Sequence, residues 1–132
     1  MANILVVDDE IEVGTAIRRV LERAGHAVTV ANNATAGLGA VAQQAPDVVI
    51  TDIIMPKVHG VELIRILHER YPRIRVIAIS GGGSFGPHGY KPEAISTHAY
   101  LAAAREAGAE EILTKPFDLT DLIAAVRRLL PN

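Results

Sequence analysis

Five times along this chain, a short run of branched apolar residues is followed by a stretch in which apolar residues recur at helical spacing. The short runs are Asn3 to Val7, His26 to Ala31, Asp47 to Thr51, Ile74 to Ile79 and Glu111 to Thr114. Continuous apolar runs of strand length suit strands covered on both faces. The helical stretches are Val13 to Ala24, Ala34 to Gln44, Val61 to Arg70, Glu93 to Ala107, and a last one carrying Leu122, Ile123, Val126 and Leu129. Gly25 and Gly108 close the first and fourth, Pro46 breaks the second, and Asp118 is expected to cap the last. Gly37 and Gly39 weaken the second helix.

Such alternation implies the α/β class, a (βα)5 doubly wound parallel five-stranded sheet with helices on both faces. A chain of 132 residues fits one domain, residues 1–132, with no output domain. Hydrophobic residues make up 49%, enough for a core and too many for a disordered chain. The net charge of −2 argues against a direct nucleic-acid partner or an anionic membrane surface. With no cysteine there is neither a disulfide framework nor a thiolate metal site. Met1-Ala2-Asn3 carries no basic stretch of a signal peptide, and no apolar run reaches the roughly 18 residues of a membrane span. A cytoplasmic location is the expectation.

In a sheet of this kind, ligands sit beyond the carboxyl ends of the strands. There the first strand delivers Asp8-Asp9-Glu10, and the third delivers Asp52, followed by Met55-Pro56 and Gly60. The fourth delivers Ser80-Gly81, and the fifth delivers Lys115-Pro116-Phe117. One edge thus gathers three carboxylates, one hydroxyl and one amine. Two carboxylates about 4 Å apart repel by on the order of 4 kcal/mol at an effective dielectric near 20, so such a cluster needs a cation. Oxygen ligands without His or Cys favour a hard ion, and magnesium takes one or two carboxylates beside phosphate oxygens. Metal, amine and hydroxyl around one carboxylate suit phosphoryl transfer, which depends on positioning and charge neutralisation. A carboxylate can itself be the nucleophile.

Each residue taken alone has an ordinary reading: a solvated helix start, a strand end, a turn, a surface lysine. Their joint placement at the ends of strands one, three and five does not. The pattern Asp8-Asp9, Thr51-Asp52-Ile53-Ile54-Met55-Pro56 with Gly60, Ser80-Gly81, Gly108-Ala109 and Lys115-Pro116-Phe117 resembles the response-regulator receiver family over essentially the whole chain. The resemblance implies a flavodoxin-like sheet of strand order 2-1-3-4-5. It implies that Asp52 is the phosphoacceptor, and that Asp9, Asp52 and the backbone carbonyl of Ile54 bind Mg2+, with Asp8 acting largely through a metal-bound water. Lys115 would contact the phosphoryl oxygens, and Ser80 would couple the phosphate to the output face. Lys115-Pro116 would be a cis peptide. The donor would be a sensor histidine kinase or a histidine phosphotransfer protein. A downstream protein would bind the face of the last two helices and fifth strand, on a monomer or a weak phosphorylation-dependent dimer.

Two positions depart from the family pattern. Ile112 stands where an aromatic residue is usual, which puts the aromatic part of the switch in doubt. Ser80 and Lys115 lie 35 positions apart, more than is usual, with the excess in Gly81 to Pro92. That loop is expected to cover the site or remodel the partner face. Gly81, Gly83 and Gly86 match the spacing of a dinucleotide-binding loop, but Pro87, Gly89 and Pro92 oppose the helix which that motif must open. The five histidines show no metal-ligand spacing.

The chain is therefore expected to act as a phosphoacceptor with intrinsic phosphotransfer and autodephosphorylation chemistry rather than as an enzyme. One alternative is an aspartyl-phosphate phosphatase, which would use Asp8 with Glu10 two residues on. A flavodoxin-like cofactor binder would need a phosphate loop where three acids stand. A receiver fold acting as a phosphate-independent binding module is the remaining alternative.

Overall fold

The computed structural model describes residues 2–53, 60–80, 102–114 and 117–130. Its strands are β1 (Asn3–Val7), β2 (Ala27–Ala31), β3 (Val48–Asp52), β4 (Arg75–Ser80) and β5 (Glu111–Thr114). Its helices are α1 (Ile11–Arg23), α2 (Ala34–Gln43), α3 (Gly60–Arg70), α4, described over residues 102–107, and α5 (Leu119–Leu129). The sheet is parallel throughout, in the order β2-β1-β3-β4-β5 expected from the resemblance.

Strand alternation splits the core into two layers. Ile4, Val6, Val48, Ile50, Ile77 and Ile79 face α1 and α5, where Ile17, Leu21, Leu122 and Val126 meet them. Leu5, Val7, Val49, Val76 and Ala78 face the other way, against Val41 of α2, Leu63, Ile64 and Leu67 of α3, and Ala104 of α4. Burial on both faces explains why these strands read as unbroken apolar runs.

One of the two glycines of α2 is accounted for by packing. Gly37 is buried, and a Cβ there would lie 2.9 Å from Val7 Cγ2, so its bareness lets the helix settle on β1. Asn33 starts this helix, its side-chain oxygen accepting from the N–H of Ala36 at 2.7 Å. Gly25 and Gly108 end α1 and α4 with φ of 100° and 129°, the left-handed geometry expected of C-terminal glycines. Asp118 occupies the capping position of α5, but its side chain makes no capping hydrogen bond. Its backbone carbonyl instead accepts from Asp121 and Leu122.

The Ile54 carbonyl, Met55-Pro56, the Gly81 to Pro92 loop, the first part of the helix expected from Glu93, and Lys115-Pro116 with its cis bond lie outside the described residues.

Candidate functional site

The sheet register builds the site. Val7 pairs with Thr51, so the residues that follow them, Asp8 and Asp52, emerge side by side at the carboxyl edge. Asp52 also pairs with Ile79, one residue short of the end of β4, and Ser80 pairs with Thr114. β4 therefore brings Ser80 to the same edge, and the chain leaves β5 there just before Lys115.

Local hydrogen bonds fix the acids. The Asp8 N–H donates to the Ala31 carbonyl at 3.1 Å, which extends the β1–β2 ladder by one residue. The Glu10 N–H donates to Asp8 Oδ1 at 2.8 Å, a tight turn that returns Glu10 toward the sheet edge. The buried Thr51 hydroxyl donates to the Asp52 carbonyl at 3.0 Å. Beyond Asp52, the Ile53 N–H donates to the Ile79 carbonyl and the Gly60 N–H to the Ile53 carbonyl, both at 2.8 Å. Gly60 lies directly against this segment: a Cβ there would sit 2.7 Å from Ile53 Cα and would collide with the Asp52 carbonyl oxygen. The glycine at position 60 thus has a steric cause.

Asp8, Glu10 and Asp52 each present a carboxylate oxygen within 4.8 Å of the other two. Asp8 and Asp52 are 1% and 2% exposed, and Glu10 is exposed. At 4.8 Å and an effective dielectric near 20, each pair of charges repels by about 3.5 kcal/mol. A donor set of carboxylates alone, partly buried and open on the Glu10 side, fits a hard divalent cation. Of the residues expected at the metal, Asp8 and Asp52 come together, whereas Asp9 is exposed and is not among these three. Glu10 joins them instead. The signal for it lay in the run Asp8-Asp9-Glu10, where an Asp side chain can take the N–H two residues on and fold the chain back. Ile112, which departs from the aromatic residue usual at its position in the pattern, is half-buried against the core layer beneath α3 and α4.

An open doubly wound parallel sheet defines the class of α/β domains that place ligand sites beyond the carboxyl ends of their strands, where this acid cluster lies. Comparison with known proteins narrows this class. The model of the response regulator receiver domain family matches residues 4–127, and the chain belongs to that family. It is 36% identical over 129 residues to the DNA-binding transcriptional regulator NtrC of Azospirillum brasilense, covering 98% of this chain and 24% of that protein. It is 32% identical over 127 residues to the response regulator MprA of Mycobacterium leprae (strain TN), covering 96% of this chain and 50% of that one. The chain thus spans about a quarter of the one relative and half of the other. Among solved structures, the receiver domain of NtrX from Brucella abortus matches with a TM-score of 0.81 at 29% identity, covering 96% of this chain and 97% of that one. The chemotaxis protein CheY4 of Vibrio cholerae matches with a TM-score of 0.80 at 25% identity, covering 98% and 99%. Among the described residues, no helix is long and apolar enough to cross a membrane.

Proposed function

We propose that this receiver domain is a phosphoacceptor switch of a two-component or phosphorelay system, with Asp52 as the acceptor. The observation that carries the reading is a nearly inaccessible Asp52 at the end of β3, with the carboxylates of Asp8 and Glu10 within 4.8 Å. A carboxylate oxygen of Asp52 attacks the phosphorus of a phosphohistidine on a sensor kinase or a histidine phosphotransfer protein. The P–N bond breaks, its electrons return to the imidazole, and an acyl phosphate remains. Mg2+, held by Asp8, Asp52 and a further oxygen from Asp9, Glu10 or the Ile54 carbonyl, would neutralise charge as the phosphoryl group arrives. Lys115 and Ser80, carried by the ends of β5 and β4, are proposed for the phosphoryl oxygens.

The same residues are proposed to transfer and release one phosphoryl group, without turnover of phosphate esters. Output is proposed through a protein that binds α4, β5 and α5, in a cytoplasmic setting. Ile112 offers no ring to rotate, so the switch would rest on the segment that follows Ser80.

Intact-mass measurement after incubation with acetyl phosphate and Mg2+ tests the reading. One added phosphoryl group is expected, absent in Asp52→Asn and absent without Mg2+. Phosphate-ester turnover that survives Asp52→Asn would instead make Asp8 and Glu10 the machinery of a phosphatase. No adduct together with no Mg2+ binding would leave a binding module that keeps only the fold.

A further inference from the structure

At the end of the sheet remote from Asp52, the α2–β3 turn, the α3–β4 turn and the end of α5 enclose an open cleft of about 790 Å³. Tyr71, Ile74, Leu129 and Leu130 give it an apolar floor, continuous with both core layers. Four arginines line it, but two of them are committed. Arg75 pairs with Glu110 at 2.6 Å and Arg128 with Glu111 at 2.8 Å. The acid in the cleft, Asp47, accepts the backbone N–H of Asn3 at 2.9 Å. Arg70 and Arg73 remain: both are exposed, and neither makes an ion pair among the described residues. Two uncommitted guanidinium groups beside an apolar floor reverse the local charge of a chain whose net charge is −2.

We infer that this cleft docks an acidic segment of a partner protein. An apolar side chain of that segment would enter between Tyr71 and Leu129–Leu130, and flanking carboxylates would meet Arg70 and Arg73. The planar guanidinium suits paired hydrogen bonds to a carboxylate. The openness of the cleft favours a segment laid across it over a small molecule, which needs most of its surface enclosed. The six residues of β4, from Arg75 to Ser80, separate this cleft from the acid cluster. That is about 17 Å at roughly 3.3 Å per residue. Docking is therefore independent of the acceptor chemistry and should persist in Asp52→Asn.

The test titrates the full 15N-labelled chain with the peptide Asp-Glu-Leu-Phe-Asp-Glu and follows amide shifts. Saturable shifts are expected at Tyr71, Ile74, Leu129 and Leu130, unchanged in Asp52→Asn. In the double variant Arg70→Ala/Arg73→Ala, affinity should fall at least about tenfold, the order expected for losing charge-assisted hydrogen bonds. Neither arginine has an ion-pair partner among the described residues, so this variant should melt with the parent, which circular dichroism checks. The same peptide with lysine at every acidic position should not bind. The inference is overturned by no saturable shift up to millimolar peptide, by undiminished binding in the double variant, or by shifts confined to the Asp52 end. It is also overturned if inorganic phosphate reproduces the shifts at equal concentration, since that would make the cleft a simple anion site.

Discussion

Replacing Gly60 by alanine tests whether the acceptor strand is held by close backbone contact. Gly60 opens α3, where alanine is ordinarily the better residue by up to about 1 kcal/mol. Its φ is not positive, so no backbone preference obscures the comparison. The added Cβ would meet Ile53 Cα at 2.7 Å and overlap the Asp52 carbonyl oxygen. Both are backbone atoms of a segment pinned by the Ile53–Ile79 and Gly60–Ile53 hydrogen bonds, and neither can swing aside as a side-chain tip would. Overpacking of this kind costs about 1–3 kcal/mol, and an unyielding neighbour puts it at the upper end. Gly39 supplies the control: it lies inside α2, and a Cβ there meets nothing within 4 Å. Gly39→Ala should stabilise by about 0.5–1 kcal/mol. The two variants should then differ by about 2–3 kcal/mol, or about 1–1.5 M in urea midpoint at a slope of roughly 2 kcal/mol/M. Urea melts followed by circular dichroism measure this directly. Because the displaced atoms belong to Asp52 and Ile53, phosphorylation of Gly60→Ala by acetyl phosphate should also fall below wild type. If Gly60→Ala unfolds at or above the wild-type midpoint, in step with Gly39→Ala, the close-contact argument is wrong.

Two further predictions concern pH. The Ala2 N–H donates to His26 Nδ1 at 3.3 Å, and partial burial, reinforced by nearby positive charge including Arg127, holds the imidazole below its ordinary value of 6.5. On acidification the unfolded chain takes up this proton first, so the stability involved is present above about pH 6.5 and lost below it. Urea midpoints should fall more steeply below that pH in wild type than in His26→Gln. The Arg128 guanidinium, hydrogen-bonded at 2.8 and 3.3 Å, holds the Glu111 carboxyl below its ordinary value of 4.5. Here the stability is present above about pH 4.5 and disappears as the lower folded-state value is passed. The midpoint gap between wild type and Glu111→Gln should close on acidification and narrow in high salt, since the Arg128 side chain is exposed.

The elements were legible because burial on both faces forces a pattern that few other folds tolerate. Val48, Val49 and Ile50 read as a central strand, and they are one, with no exposed surface. The glycines that stop α1 and α4 were equally legible, since a left-handed residue leaves a direct mark on sequence. What escaped was set by tertiary contact. Gly37 looked like a weakness in α2 until Val7 was seen to occupy the space of its missing Cβ. Asp118 read as a cap by residue type, yet the backbone alone performs that role.

The acid cluster shows the same division. The strand order implied by the resemblance placed Asp8 and Asp52 at adjacent strand ends, and the register bears this out. It did not reveal which of Asp9 and Glu10 turns back toward them. The Glu10 N–H donates to Asp8 Oδ1 there, a contact that no periodicity announces. The arginine-lined cleft was less visible still. Arg70 and Arg73 are ordinary residues of a polar turn, and their significance arises only because Glu110 and Glu111 engage Arg75 and Arg128 from β5 and its approach. A charge becomes available for binding by what its neighbours already hold. Those pairings join residues 35 and 17 positions apart, where no local pattern in the sequence reaches.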